Sequence, residues 1–190
     1  MTVLITGGIG CGKSEVAAWL VSKGYGVYSC DDRAKALYDE VPGLLERIEK
    51  ALGCQSLRNP SGKLDRKALA EVIFSDSLRR AALEAILYVE LRRDLEQFLD
   101  SHEGLVFVES ANAFAHREFD GLFDAIVEVR TNDSLRRERV LRRNPDLSHS
   151  ELESRISAQQ TIEGADFVIH NDGDLDSLHS QIDRITEQLI

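Results

Sequence analysis

The sequence predicts an α/β fold, with a central parallel sheet flanked by helices, from three adjacent features near its start. Residues 2–6, TVLIT, are β-branched and apolar, which is typical of a short buried strand. A glycine-rich segment follows, and residues 14–22 place apolar side chains at helical spacing. A second strand is predicted at YGVYSCDD, residues 25–32. Strand, loop, helix and strand form a βαβ unit, and sheets of this kind bind ligands at the carboxyl ends of their strands.

The rest of the chain alternates helices and strands, with one long helical interruption. From residue 33 to about 100 the pattern is mostly helical, in RAKALYDEVPGLLERIEKAL, DRKALAEVIF and LRRAALEAILYVELRRDLEQFL. A single crossover needs far less helix, so we predict that 33–100 is a substrate-covering lobe inserted into one domain, 1–190. Further strands are predicted at LVFVE (105–109), DAIVEV (124–129) and DFVIHNDG (166–173). Three helices are predicted in this part of the chain. The first spans 134–143, the second begins at the capping box of Ser148 and Glu151, and the third spans 175–190.

Composition limits the possible function classes. Of the 190 residues, 43% are hydrophobic and 29% are charged, as in an ordinary globular domain. The formal net charge of −10 provides no positive field, so no nucleic-acid partner is expected. No leader pattern and no apolar run near the ~20 residues of a bilayer span is seen, so we expect a soluble, cytoplasmic protein without a membrane partner. We also expect a monomer or a weak homo-oligomer.

The motif with the most specific chemistry is GGIGCGKS at 7–14. Gly7, Gly12, Lys13 and Ser14 satisfy G-x-x-x-x-G-K-[ST], between a predicted strand and a predicted helix. Such a P-loop directs backbone N–H groups at phosphate oxygens, while its lysine neutralises the β- and γ-phosphates and its serine hydroxyl binds Mg²⁺. The alternative is a glycine turn with an incidental Lys-Ser pair. The predicted nucleotide-binding residues of the loop are Gly8, Gly10, Cys11, Gly12, Lys13, Ser14 and Glu15.

Cys11 lies inside this loop. Its position contributes mainly a backbone N–H, so we expect its side chain to have no direct role in phosphate binding. The alternative is an oxidation-sensitive thiol beside positive charge.

Carboxylates follow two of the predicted strands. Asp31, at the end of the second strand, is the candidate general base for an attacking hydroxyl. Asp32 is expected to be a solvated residue at a helix N-terminus. Glu109 ends LVFVE, where a carboxylate is suited to orienting Mg²⁺ through water; the alternative is an exposed glutamate at a strand end.

The segment RRERVLRR, residues 136–143, concentrates five arginines in an acidic protein. Arg139 and Arg143 are four residues apart, so both project from one face of the predicted helix. Guanidinium groups match phosphate oxygens and stabilise a phosphoryl group in transfer. We therefore predict that Arg139 and Arg143 bind the triphosphate and that Arg139 is catalytic. A solvated helix face paired with glutamate is the alternative.

Together these residues resemble the dephospho-coenzyme A kinase family of P-loop kinases. The resemblance runs over nearly the whole chain, in TGGIGCGKS, VYSCDDRAKAL, GKLDRKALAEVIF, DAIVEV, RERVLRRN, RISAQ and ADFVIHNDG. It implies a P-loop three-layer sandwich that uses ATP and Mg²⁺ to phosphorylate the ribose 3′-hydroxyl of dephospho-CoA, the last step of coenzyme A synthesis. It further implies that Asp31 is the catalytic aspartate, that 33–100 covers CoA, and that approximately 134–160 is a mobile lid carrying Arg139 and Arg143.

The substrate lobe differs from the family pattern at Tyr88 and Val89, which stand where the family has His-Pro. A kinase for another nucleotide or small metabolite is therefore a second hypothesis. A nucleotide-binding P-loop protein without phosphoryl transfer is a third. Asp31, Lys13 and the arginine pair argue against that third hypothesis, because a protein that only binds nucleotide needs neither a base nor lid cations.

Overall fold

A computed structural model describes residues 1–54, 56–74, 76–113, 116–157 and 164–190. The strands are β1 (Thr2–Thr6), β2 (Gly26–Ser29), β3 (Val106–Glu109), β4 (Ala125–Arg130) and β5 (Phe167–His170). The helices are α1 (Lys13–Ser22), α2 (Cys30–Glu40), α3 (Leu44–Leu52), α4 (Arg66–Phe74), α5 (Ser77–Asp100), α6 (Asp133–Arg143), α7 (His149–Ser157) and α8 (Leu175–Leu189). By its internal contacts the chain divides into two compact units, Met1–Ser29 with Leu99–Ile190, and Cys30–Phe98.

The first unit is built on one five-stranded sheet of order β2-β3-β1-β4-β5. All neighbouring strands pair in parallel, so the predicted α/β fold with a central parallel sheet is confirmed. The central strand β1 lies between β3 and β4, and the chain leaves it toward β2 before crossing to β4 and β5 on the other side. This change of direction is the kind of switch point at which open α/β sheets bind ligands.

Helices α1 and α8 cover one face of this sheet. Val16 and Leu20 of α1 pack with Ile182 of α8 on Ile5 and Val127, and all five side chains are fully buried. Because side chains alternate along a strand, Leu4 faces the opposite side of the sheet from Ile5, and it too is fully buried. Both faces of the strand are therefore shielded from water, which is why β1 is a continuous apolar run rather than an alternating one.

The predicted boundary between β2 and the following helix is wrong by three residues. Strand β2 ends at Ser29, opposite Glu109, the last residue of β3, so its ladder has no partner beyond that point. Helix α2 begins at Cys30, and both Asp31 and Asp32 lie in its first turn. Carboxylates are stabilised there by the positive end of the helix dipole. Asp31 is thus a helical residue and not a strand end, whereas Asp32 lies where it was predicted.

The second unit consists of α2 to α4 and most of α5. The predicted helical segment after residue 33 is divided at Pro42 and Gly43, where the φ of Gly43 is +75°. Arg33 joins α2 to α5 through two 2.8 Å hydrogen bonds to the Asp94 carboxylate. These contacts and an additional one to Glu40 raise the pKa of the Arg33 guanidinium. Ion pairs between its helices therefore help to hold this unit together.

The last part of the first unit follows the predicted order of helix, helix, strand and helix. Ser148 and Glu151 form the predicted capping box, since the Ser148 N–H donates to Glu151 Oε2 at 3.0 Å and Ser148 Oγ accepts from the Glu151 N–H. Residues 158–160 of the predicted lid and part of RISAQ lie outside the described residues. In the ranges that are described, no helix combines the length and apolar character that a membrane span requires.

Candidate active site

The P-loop, residues 7–14, connects β1 to α1 and requires glycine at three positions. Gly7 has a φ of +141°, and a Cβ atom on it would come within 2.3 Å of the Val129 carbonyl oxygen in β4. Gly10 and Gly12 have φ angles of +78° and +99°, which residues other than glycine rarely adopt. A Cβ atom on Gly12 would come within 2.2 Å of Asn171 Nδ2, and one on Gly10 within 2.9 Å of the Arg136 carbonyl oxygen. The loop is therefore pressed against the segments that follow β4 and β5. An incidental glycine turn does not explain such close packing.

Lys13, the first residue of α1, turns its side chain back over the loop. Its Nζ donates to the carbonyl oxygen of Gly7 at 2.9 Å and lies 3.3 Å from that of Gly8. Only 9% of the residue is exposed. The ammonium group is thus held against the backbone of the loop.

The backbone of Cys11 is anchored by two residues that the sequence analysis did not single out. The Cys11 carbonyl oxygen accepts from Asn171 Nδ2 at 2.8 Å and from Thr131 Oγ1 at 3.1 Å. Thr131 directly follows β4 and Asn171 directly follows β5. Polar residues immediately after parallel strands are the sequence signal that would have found them. The Cys11 side chain is buried in the core, with 3% exposed, which argues against the alternative of a reactive thiol.

The next two residues of α1 are more open. Ser14 is exposed in the first turn of the helix. The Glu15 side chain is 43% exposed, and its Oε1 lies 3.4 Å from His179 Nε2 of α8. Ser14 is therefore accessible to solvent beside the P-loop, while Glu15 has a specific partner.

A pocket of about 360 Å³ adjoins the P-loop within the first unit. Arg139 and Arg143 both line it, as their spacing on one helix face predicted. Arg139 is fixed by a 3.4 Å hydrogen bond from its Nη1 to Thr131 Oγ1, the hydroxyl that also contacts the loop. We call this the arginine pocket; its lining is Gly12, Glu15, Arg139, Arg142, Arg143, Asn171, Gly173, Asp174 and Leu175.

The other arginines of α6 have structural contacts. Arg136 donates to the carbonyl oxygen of Ile9 in the P-loop at 3.3 Å, and Arg137 binds both carboxylate oxygens of Glu153, at 2.8 and 3.0 Å. The Arg137 hydrogen bond holds the pKa of Glu153 below its usual value. Arg142 pairs with a glutamate four residues before it. The arginine-rich segment therefore contains both kinds of arginine that the sequence suggested: some line the pocket, and others pair with glutamate on the helix surface.

Glu109 ends β3 beside the P-loop strand, because it pairs in register with Ile5 of β1 and Ser29 of β2. It is 6% exposed, so the alternative of an exposed strand-end glutamate is wrong. Its Oε2 accepts a hydrogen bond from Ser29 Oγ at 3.0 Å. Asp31 follows Ser29 by two residues but belongs to the second unit, where its side chain is exposed at the start of α2.

The arrangement at the central strand defines a class of protein. A phosphate-binding loop that shares its pocket with two arginines of a following helix places this chain among the P-loop kinases. A family model described as dephospho-CoA kinase matches residues 1–177. The chain belongs to the dephospho-CoA kinase family.

Individual relatives agree with this assignment. The chain is 36% identical to the dephospho-CoA kinase of Chlorobaculum tepidum over 203 aligned positions, which cover 100% of this chain and 95% of that protein. A crystal structure of a Thermus thermophilus protein is 34% identical with a TM-score of 0.82, covering 100% of this chain and 98% of the other. The dephospho-CoA kinase of Campylobacter jejuni, at 24% identity and a TM-score of 0.68, shares the fold, with 98% and 96% of the two chains covered.

Proposed function

We propose that this protein transfers the γ-phosphoryl group of ATP to the ribose 3′-hydroxyl of dephospho-CoA, giving CoA and ADP. Its membership of the dephospho-CoA kinase family supports this acceptor. The observation that carries the phosphoryl-transfer chemistry is the arginine pocket, in which Gly12 of the P-loop, Arg139 and Arg143 face the same space. A site that only bound a nucleotide would not need two additional cations there.

The triphosphate would be held by the P-loop from one side and by arginines from the other. Backbone N–H groups of the loop and Lys13 Nζ bind the phosphate oxygens, with Lys13 exchanging its present carbonyl partners for the β- and γ-phosphates. Arg139 and Arg143 offset the charge that spreads over the γ-phosphoryl oxygens during transfer. Cys11 contributes its backbone, whose carbonyl is already held by Asn171.

The residues present fit Mg²⁺, which prefers oxygen ligands and usually keeps several waters beside substrate phosphates. The exposed hydroxyl of Ser14 would bind the ion directly, and the Glu109 carboxylate at the end of β3 would hold it through water. When bound, Mg²⁺ would supply positive charge that offsets the negative charge of the triphosphate.

Asp31 is the proposed general base. Its carboxylate takes the proton of the 3′-hydroxyl as that oxygen bonds to the γ-phosphorus and the bond from the γ-phosphorus to the leaving oxygen of ADP breaks. We propose that the helical region at approximately 33–100 binds the CoA moiety and that the segment at approximately 134–160 is a lid. Closure of such a lid excludes water and so suppresses hydrolysis of ATP.

Product analysis tests the proposal. Purified protein with ATP, Mg²⁺ and dephospho-CoA is expected to form CoA, detected by mass spectrometry, whereas Lys13→Ala under the same conditions is expected to form little. Absence of CoA above the Lys13→Ala level would refute the proposed acceptor. Phosphorylation of another metabolite, or ATP binding with no transfer to any acceptor, would then support one of the other two hypotheses.

The assignment of the base has its own test. Asp31→Asn keeps the size of the side chain but removes its basicity, and we expect kcat to fall by at least about 10²-fold. The affinity for ATP should change little, because the carboxylate acts on the acceptor. Asp32→Asn, next to it in the same helical turn, is the matched control and should retain activity. Equal activity of Asp31→Asn and the wild type would exclude Asp31 as the base.

A further inference from the structure

Five side chains connect α1 to α8 along one continuous line, and the proposed reaction assigns no role to this connection. On α1, Glu15, Trp19 and Lys23 are spaced four residues apart and so lie along one face, with Lys23 just beyond the helix end. On α8, His179 and Asp183 have the same spacing. The two rows interleave in the order Glu15, His179, Trp19, Asp183 and Lys23. We call these five residues the α1–α8 ladder.

The centre of the ladder fixes the orientation of an imidazole ring. Trp19 Nε1 donates to Asp183 Oδ1 at 2.8 Å, which sets the plane of the indole. The His179 ring lies flat on that indole, with 3.9 Å between ring centroids and 4° between planes. Lys23 Nζ lies 4.4 Å from the indole centre and 3.5 Å from Asp183 Oδ2. With its ring held in this plane, His179 directs Nε2 at Glu15 Oε1, 3.4 Å away.

The end of the ladder lies at the nucleotide site. Glu15 is the third residue of α1 and lines the arginine pocket beside Gly12. A carboxylate accepts hydrogen bonds, so the tautomer of His179 that carries its hydrogen on Nε2 can donate to Glu15 Oε1. A carboxylate that turned toward the P-loop would repel the phosphates there. The side chain of His179 is 16% exposed and that of Glu15 is 43% exposed, so the contact between them is partly shielded from water.

We propose that His179 is a positioning residue for the nucleotide. By donating to Glu15 Oε1 from its stacked place on Trp19, it keeps the carboxylate on the α8 side of the arginine pocket and away from the triphosphate. The inference rests on the proposed ATP site, but it concerns the affinity for ATP and not the transfer step. It also gives a reason why a chain with an acidic residue directly after the P-loop can still bind a polyanion.

The central test is His179→Phe, which keeps a flat ring for stacking on Trp19 and removes the donor. We expect the Kd for the Mg²⁺ complex of the non-hydrolysable analogue AMP-PNP, measured by isothermal titration calorimetry, to rise about fivefold. This corresponds to about 1 kcal/mol, the size expected for the loss of one partly exposed hydrogen bond. At saturating ATP, kcat should stay at the wild-type value. His179→Gln, which retains an N–H donor, should recover part of the affinity.

Two further variants distinguish positioning from a purely structural role. In a Glu15→Gln background, His179→Phe should no longer change the Kd, because the negative charge that His179 restrains is gone. Lys23→Met alters the far end of the ladder, about 12 Å along the helix from Glu15, and should leave the Kd unchanged. A Kd for His179→Phe within twofold of wild type, or an equal loss in the Glu15→Gln background, would overturn the inference. Wild-type protein that fails to bind AMP-PNP would overturn the ATP site itself.

Discussion

Replacing Asn171 with alanine tests how the P-loop is held in place. The Asn171 side chain is almost completely buried, with 6% exposed, and its Nδ2 donates to the Cys11 carbonyl oxygen at 2.8 Å. Removing one donor from a buried carbonyl costs about 1–3 kcal/mol. Because Thr131 Oγ1 still lies 3.1 Å from the same oxygen, we expect a loss at the lower end, about 1–2 kcal/mol of unfolding free energy.

The same change should also weaken nucleotide binding. Without this hydrogen bond, the loop of the alanine variant can leave the conformation that binds phosphate. Each 1.4 kcal/mol of free energy needed to return the loop to that conformation raises the Kd for the nucleotide about tenfold. Urea unfolding and calorimetric titration with AMP-PNP measure the two effects separately. Asp172→Ala is the matched control, since the Asp172 carboxylate accepts a hydrogen bond from the Asn132 N–H at 2.7 Å rather than holding the Cys11 carbonyl. A destabilised Asn171→Ala variant with a wild-type Kd would refute the argument that Asn171 shapes the loop.

Three further predictions follow from individual side chains. Arg143→Ala should lower kcat by about 10- to 100-fold, since a hydrogen bond to a charged group contributes about 1.5–3 kcal/mol. Arg137→Ala should retain kcat, because its partners Glu153 and Asp133 do not line the arginine pocket. Equal kinetics in the two variants would contradict this. Burial raises the pKa of Tyr38 from 10.0 to about 12, so an absorbance titration should show a late tyrosine that Tyr38→Phe lacks. Because the folded pKa is the higher one, stability from this group should fall as pH rises above about 10. Thr6 Oγ1 is buried with no hydrogen-bond partner in the described ranges, so the isosteric Thr6→Val should raise the unfolding free energy by about 1 kcal/mol; a lower value would count against this.

Much of the fold followed from local patterns. The strand at 2–6, the helix after the P-loop and the capping box of Ser148 and Glu151 all lie where the sequence predicted them. Such features depend on residues within a few positions of one another, including a helical apolar spacing or a serine three residues before a glutamate. The glycines of the P-loop belong to the same class, since the φ angles of Gly10 and Gly12 reflect the local path of the backbone.

The errors concerned features that depend on distant residues. Asp31 was predicted at a strand end, but β2 stops at Ser29 because its partner strand β3 stops at Glu109, eighty residues later in the chain. The burial of Glu109 has the same origin, since its neighbours come from β1 and β2. Nothing in YGVYSCDD or LVFVE alone shows where the other strand ends.

Local sequence was therefore enough to show that this protein has a P-loop, because the glycines, Lys13 and Ser14 lie within eight consecutive positions. The tertiary structure alone showed what holds that loop. Asn171 holds the loop from 160 residues away in the chain, because the sheet order puts β4 and β5 on one side of β1. His179 contacts Glu15, the residue that follows the loop, because α8 packs on α1. Their contacts depend on how the strands and helices are arranged in space, and no single segment of the chain determines that arrangement.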